Sequence, residues 1–296
     1  MFMEKIGRSW EFAKMSYGIV WDHKRLLVFP ILSGAAAILV TASFLLPLWG
    51  TGTLEQWASS AAPGSQAASG AAGDEDQVPI IAWVTLFLFY FCNYFVIVFF
   101  NSALTASAMQ VMKGEPPRLG YGLSVAASRL PQIFAWAGLS AVVGVVLRAI
   151  ESNEKVGRFV SAILGTAWTA ITYFVVPTLV VDGVGPIEAI KKSLRTLKGT
   201  WGEALIGNFS MGFLSLIVML PVLLVGGLLI FLAFGTGSTV LIAAAVAVTV
   251  VLAGFVIAGN AAADVIFQAV LFHYATGQTL PDRVDRHQLD LAFRSR

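Results

Sequence analysis

The chain is poor in the groups that enzyme chemistry usually requires. Its 296 residues include one cysteine and three histidines, and only 12% are charged, against about 25% in ordinary soluble proteins. The lone Cys92 cannot form an internal disulfide and leaves no cysteine spacing for a metal or haem. His23 and His287 lie among basic residues, and His273 lies near the end of the last apolar run. No HExxH, GxSxG or phosphate-binding glycine loop is present. Between Gly207 and Gly212, Ser210 stands one place off a nucleophile elbow, inside an apolar run. These absences predict a chain that is not an enzyme and carries no cofactor or metal.

Positive charge is also missing from most of the chain. Sixteen of the 19 Lys and Arg residues fall in four segments: Lys5 to Arg25, Lys113 to Arg129, Lys191 to Lys198, and Arg283 to Arg296. The stretch from Gly50 to Gln77 has no Lys or Arg but four acids: Glu55, Asp74, Glu75 and Asp76. Long apolar runs separate these segments, and 57% of residues are hydrophobic. Positive charge stays on the cytoplasmic side of an inserting chain, so the pattern predicts a multi-pass membrane protein with both termini cytoplasmic. Net charge +2 and pI 8.7 do not indicate nucleic acid, because membrane topology already accounts for the basic residues. Anionic headgroups are the expected partners, at roughly 1 kcal/mol per basic residue near the surface.

The expected fold is all-α: a polytopic bundle of about six transmembrane helices with cytoplasmic amphipathic helices. Residues 1–25 read as an amphipathic interfacial helix, with Met3, Ile6, Trp10, Ala13, Tyr17 and Val20 or Trp21 on the apolar side. Packing of that helix against the protein's own loops is the competing reading. Residues 26–276 form the six-span domain, and nothing in the first 25 residues resembles a cleaved signal. The spans are Leu26–Leu48, Val78 onward to Met112, Pro131–Leu147, Phe159–Val181, Leu205–Leu232 and Thr239–Gly259. Residues 50–77 read as an external flexible loop, 113–130 and 183–204 as cytoplasmic amphipathic helices, and 277–296 as a cytoplasmic tail. Arg148–Arg158 is discordant on the outside, and a reentrant or interfacial helix is the expected correction there. Internal repetition is visible too. Gly114, Pro117, Ser124 and Arg129 follow the second span at the same spacing as Gly183, Pro186, Ser193 and Lys198 after the fourth. A looser version follows the sixth, with Gly277, Pro281, Arg283 and Arg286. In each, Gly ends a membrane helix and Pro starts a basic surface segment. This predicts an internal hairpin repeat, with shared helix punctuation as the alternative.

Two segments carry a resemblance. Ser9, Trp10, Trp21, Leu26, Leu27, Phe29 and Pro30 fit the opening of the DUF6159 family of bacterial six-span proteins, and Tyr173 to Phe209 resembles that family's second signature. The resemblance implies architecture only, with no activity and no site residues; the expected location is the bacterial cytoplasmic (inner) membrane.

Polar residues inside spans are costly and therefore informative. Asn93 and Asn101 lie about 80° apart on the second helix, and Thr105 extends the stripe. Asn260, Asp264 and Gln268 share one face of the last helix at spacings of four. Either these faces meet and line a polar pathway or proton site with Asp264 titrating, or they hydrogen-bond neighbouring helices and Asp264 sits at headgroup level. Asp182 and Glu188 are expected to cap the surface helix, while Lys191, Lys192, Arg195 and Lys198 are candidate contacts for lipid headgroups or a partner. Gly226-Gly227, and Gly254 with Ala258 and Ala262, allow close helix approach, within the bundle or in an oligomer. The leading functional expectation is a non-catalytic scaffold, assembly or regulatory subunit with a membrane-protein partner or as a homo-oligomer. A small-solute or ion transporter or channel comes second and a lipid-handling protein third.

Overall fold

The computed structural model describes residues 14–50, 80–151 and 157–276. Most of the expected amphipathic stretch before residue 14, the 50–77 loop beyond Gly50 and the tail at 277–296 lie outside these residues.

Every described element is helical, as expected where backbone groups in lipid must bond within their own segment. Helix α1 covers residues 14–22, and a 3-10 turn at Lys24–Leu27 leads into α2 (Val28–Gly50). Then come α3 (Ile80–Met112), α4 (Leu119–Ser128), α5 (Leu130–Glu151), α6 (Gly157–Ile171), α7 (Val175–Asp182), α8 (Pro186–Gly235) and α9 (Thr239–Ala275). Six stretches are long and apolar enough to span a bilayer, α6 and α7 counting as one. The chain is an all-α, multi-pass membrane protein.

Three boundaries differ from those read in the sequence. The surface helix at 183–204 and the fifth span are one continuous helix, α8, of 50 residues and about 75 Å. The fourth span is instead broken, between Ile171 and Val175. The third span runs on past Leu147: α5 extends to Glu151, where Arg148 pairs with Glu151 at 2.9 Å, and α6 starts at Gly157, while residues 152–156 of the expected reentrant or interfacial segment lie outside the described residues.

Helix α3 is central, packing against α2, α4, α5, α7 and α9, while α8 and α9 form a hairpin. Phe91 and Phe95 of α3 hold Phe134 of α5 edge-on at 4.8 and 6.3 Å. Trp136 of α5 stacks on Trp168 of α6 at 5.7 Å. At Gly226 of α8 the side chain of Thr249 on α9 leaves no space for a Cβ, so this glycine sets how closely the hairpin closes. Its neighbour Gly227 has open space, as has Gly254. Ala258 and Ala262 are buried inside the bundle.

The core lies at one end. Nearly all buried residues sit where the spans meet the basic segments: Leu26 and Phe29 of α2, Ala103 to Met112 of α3, Ile133 and Trp136 of α5, and Ala258 to His273 of α9. The exceptions at the far ends are few, among them Gly157, Gly226 and Ala233. Beyond that layer the helices are apolar arms bare of protein: Leu224 is 65% exposed, Phe231 74% and Val240 76%. Lipid can cover such surfaces at no cost, since its tails are as apolar as the side chains.

Candidate functional site

The polar residues gather in the packed layer at the basic end. The break in the fourth span is the first component. Pro177 has no N–H for the carbonyl of Tyr173, four residues earlier, and its ring crowds that carbonyl. Thr166, Thr169 and Thr172 each donate to the carbonyl four residues back, at 2.8–2.9 Å, a habit that bends helices. Ser193 of α8 closes the gap: its fully buried hydroxyl donates to the Ile171 carbonyl at 2.7 Å and accepts from the Phe174 amide at 3.0 Å. Ser124, its counterpart in the repeat reading, is exposed.

The second component joins α1, α8 and α9. The Tyr17 hydroxyl donates to Asn260 Oδ1 at 2.6 Å and lies 3.2 Å from Ser215 Oγ. Burial pushes the Tyr17 phenol above its ordinary range, the Ser215 hydrogen bond opposes this, and the Asp264 carboxylate adds to the rise. Asp264 also acts electrostatically on Tyr173, within the break. Helix α1, with Ser16 and Val20 buried, is therefore docked on the bundle, while Trp21 is 76% exposed. Between Ser215 and Gly235 α8 rises about 30 Å, one hydrocarbon thickness.

A third set closes the turn between α7 and α8. Gly183 ends α7 with φ +64°, as Gly114 ends α3 with φ +79°. The Arg129 guanidinium occupies the place of a Gly183 side chain, and Gln132 Nε2 donates to the Gly183 carbonyl at 3.2 Å. Asp182 does not cap α8, whose N-cap is Gly185 with no side-chain bond; it pairs with Lys192 at 2.8 Å. That bond, with Glu188 3.7 Å away, raises the Lys192 pKa. Glu188 lies in the first turn of α8, favourable to the dipole.

The two expected polar stripes are placed differently. Asn93 donates to its own helix, at the Phe89 carbonyl, 2.9 Å away. Asn101 is half-buried, and the buried Thr105 hydroxyl has no hydrogen-bond partner among the described residues. Asn260, Asp264 and Gln268 are half-buried. Helices α3 and α9 touch, yet among the described residues no hydrogen bond joins the stripes. Of the candidate surface contacts, Lys191, Arg195 and Lys198 are exposed, opposite the buried Ala189, Ser193 and Leu197. Sequence reasoning missed Tyr17 and Ser215 as polar partners and Tyr173 as part of the break; Pro177 was the available signal for the break.

No curated protein and no solved structure matches the chain. One protein-family profile, described as a family of unknown function, matches residues 80–280. The match covers the second to sixth spans and every component above except those of α1, and the chain belongs to the DUF6159 family.

Proposed function

We propose that the chain is a non-catalytic scaffold, assembly or regulatory subunit of the bacterial cytoplasmic (inner) membrane, with both termini in the cytoplasm. The observation supporting this is the continuity of α8. Its first turns expose Lys191, Arg195 and Lys198, and its last 26 residues are the fifth span. A partner bound at the basic face therefore acts on the membrane hairpin through one stiff element. The hairpin repeat belongs to the same reading, with Gly114 and Gly183 as its matching turns and Arg129 of one copy seated on Gly183 of the other. Native mass spectrometry of protein taken gently from its own membrane tests the role. A stoichiometric protein partner is expected, lost in Lys191→Gln/Arg195→Gln/Lys198→Gln; a bare wild-type chain overturns it.

The break beside Asp264 supports a second reading, a transporter, since interrupted spans form many substrate sites. Substrate-dependent flux in vesicles that Asp264→Asn abolishes is its signature.

A further inference from the structure

A cleft of about 380 Å³ opens where α1 meets α2, lined by Trp21 to Arg25 on one side and by Pro116 and Pro117 on the other. We propose that this cleft binds the headgroup of an anionic glycerophospholipid. Its height is the first argument. The first span begins at Lys24 and the second ends at Met112, so both walls stand where a bilayer's headgroups lie. Its charge is the second. Lys24 and Arg25 against Asp22 give a net +1, matching the single negative charge of a phosphodiester. His23 adds a polar ring, and Asp22 offers an acceptor for headgroup hydroxyls. Preorganisation is the third. Leu26 and Phe29 are fully buried and fix the backbone under the two cations. Lys24 Nζ already lies 5.3 Å from the centre of the Trp21 ring. That exposed indole prefers the membrane–water interface, where it flanks the glycerol region of a seated lipid. The prolines present no N–H donors and form an apolar wall.

This inference rests on membrane placement and not on the subunit role. The test is native mass spectrometry of the full detergent-solubilised chain titrated with dioleoyl phosphatidylglycerol, dioleoyl phosphatidylcholine or inorganic phosphate. One retained phosphatidylglycerol is expected, with Lys24→Gln/Arg25→Gln weakening it roughly tenfold or more. Arg148→Gln/Arg158→Gln, which removes the same charge from the far end, leaves it unchanged. Trp21→Ala at an exposed position gives a second variant that should also lose the lipid. Equal retention of phosphatidylcholine overturns the proposal, as does equal loss in the far-end variant. Phosphate that binds alone and displaces the lipid shows a soluble-anion site and overturns it as well.

Discussion

Adjacent glycines in the α8–α9 hairpin give a sharp test of the packing. Gly226 and Gly227 share one helix, one depth and one backbone conformation, yet only Gly226 faces Thr249. A Cβ at Gly226 would lie 2.8 Å from Thr249 Oγ1 and 3.1 Å from its Cβ, and closer still to its methyl. Thr249 cannot turn aside freely, because its hydroxyl donates to the Ala245 carbonyl at 2.8 Å. A Cβ at Gly227 meets nothing within 4 Å. Both changes to Ala gain the same helix propensity, up to about 1 kcal/mol, so the difference isolates the clash, at about 1–3 kcal/mol. At roughly 2–4 °C per kcal/mol, Gly226→Ala should melt about 2–12 °C below Gly227→Ala. Thermal unfolding in detergent, followed by size exclusion, reads this directly. Gly226→Ala/Thr249→Ala should recover most of the gap, because the pair is coupled. Equal melting of the two single variants would refute the hairpin register.

The same logic applies to α4, where a Cβ on Gly122 meets the Ala103 carbonyl at 2.5 Å and Gly120 has open space. Gly122→Ala should fall below Gly120→Ala by about 1–3 kcal/mol in thermal unfolding. Ser193→Ala orphans a buried carbonyl and amide at the break and should cost about 1–3 kcal/mol in the same assay, whereas Ser124→Ala is near neutral. The raised Tyr17 pKa favours the protonated phenol when α1 is docked. That stability is complete below the free phenol's pKa of about 10 and is lost as pH rises through the folded value. Limited proteolysis of α1 should therefore accelerate at strongly alkaline pH, and Tyr17→Phe should cleave faster at neutral pH without that rise. Asp182→Asn breaks an ion pair whose side chains are about a third exposed, so its melting temperature should change by the equivalent of less than about 1 kcal/mol.

Spans and turns were legible because they follow from local physics. Apolar length, basic loops and the left-handed turns at Gly114 and Gly183 are properties of short windows. What went unread depends on a distant partner. Pro177 announces trouble for a helix, but Pro221 sits inside α8 without breaking it. The distinction is Ser193, 19 residues past Phe174, which supplies bonds that the broken backbone lost. Tyr17 read as an interfacial aromatic, since nothing near it in sequence indicates Ser215 or Asn260. The sequence divides the surface helix from the fifth span where its charged stretch ends, whereas the helix runs on through Gly199, Gly202 and Gly207 into the apolar run. The spacing of four between Asn260, Asp264 and Gln268 gave a polar face but not what covers it.

The confinement of the core to the basic end implies two regimes of mutational tolerance along a single helix. Toward the tip of α9, positions such as Val240, Val250 and Phe255 are largely bare of protein, so any apolar side chain of any size serves there. Beyond them Ala262, Ala263 and Ala269 have no exposed surface, and even one added methylene must displace a neighbour. A saturation library of α9 would score as an unconstrained hydrophobic segment fused to a strict one, with the change in between Ile257 and Ala262.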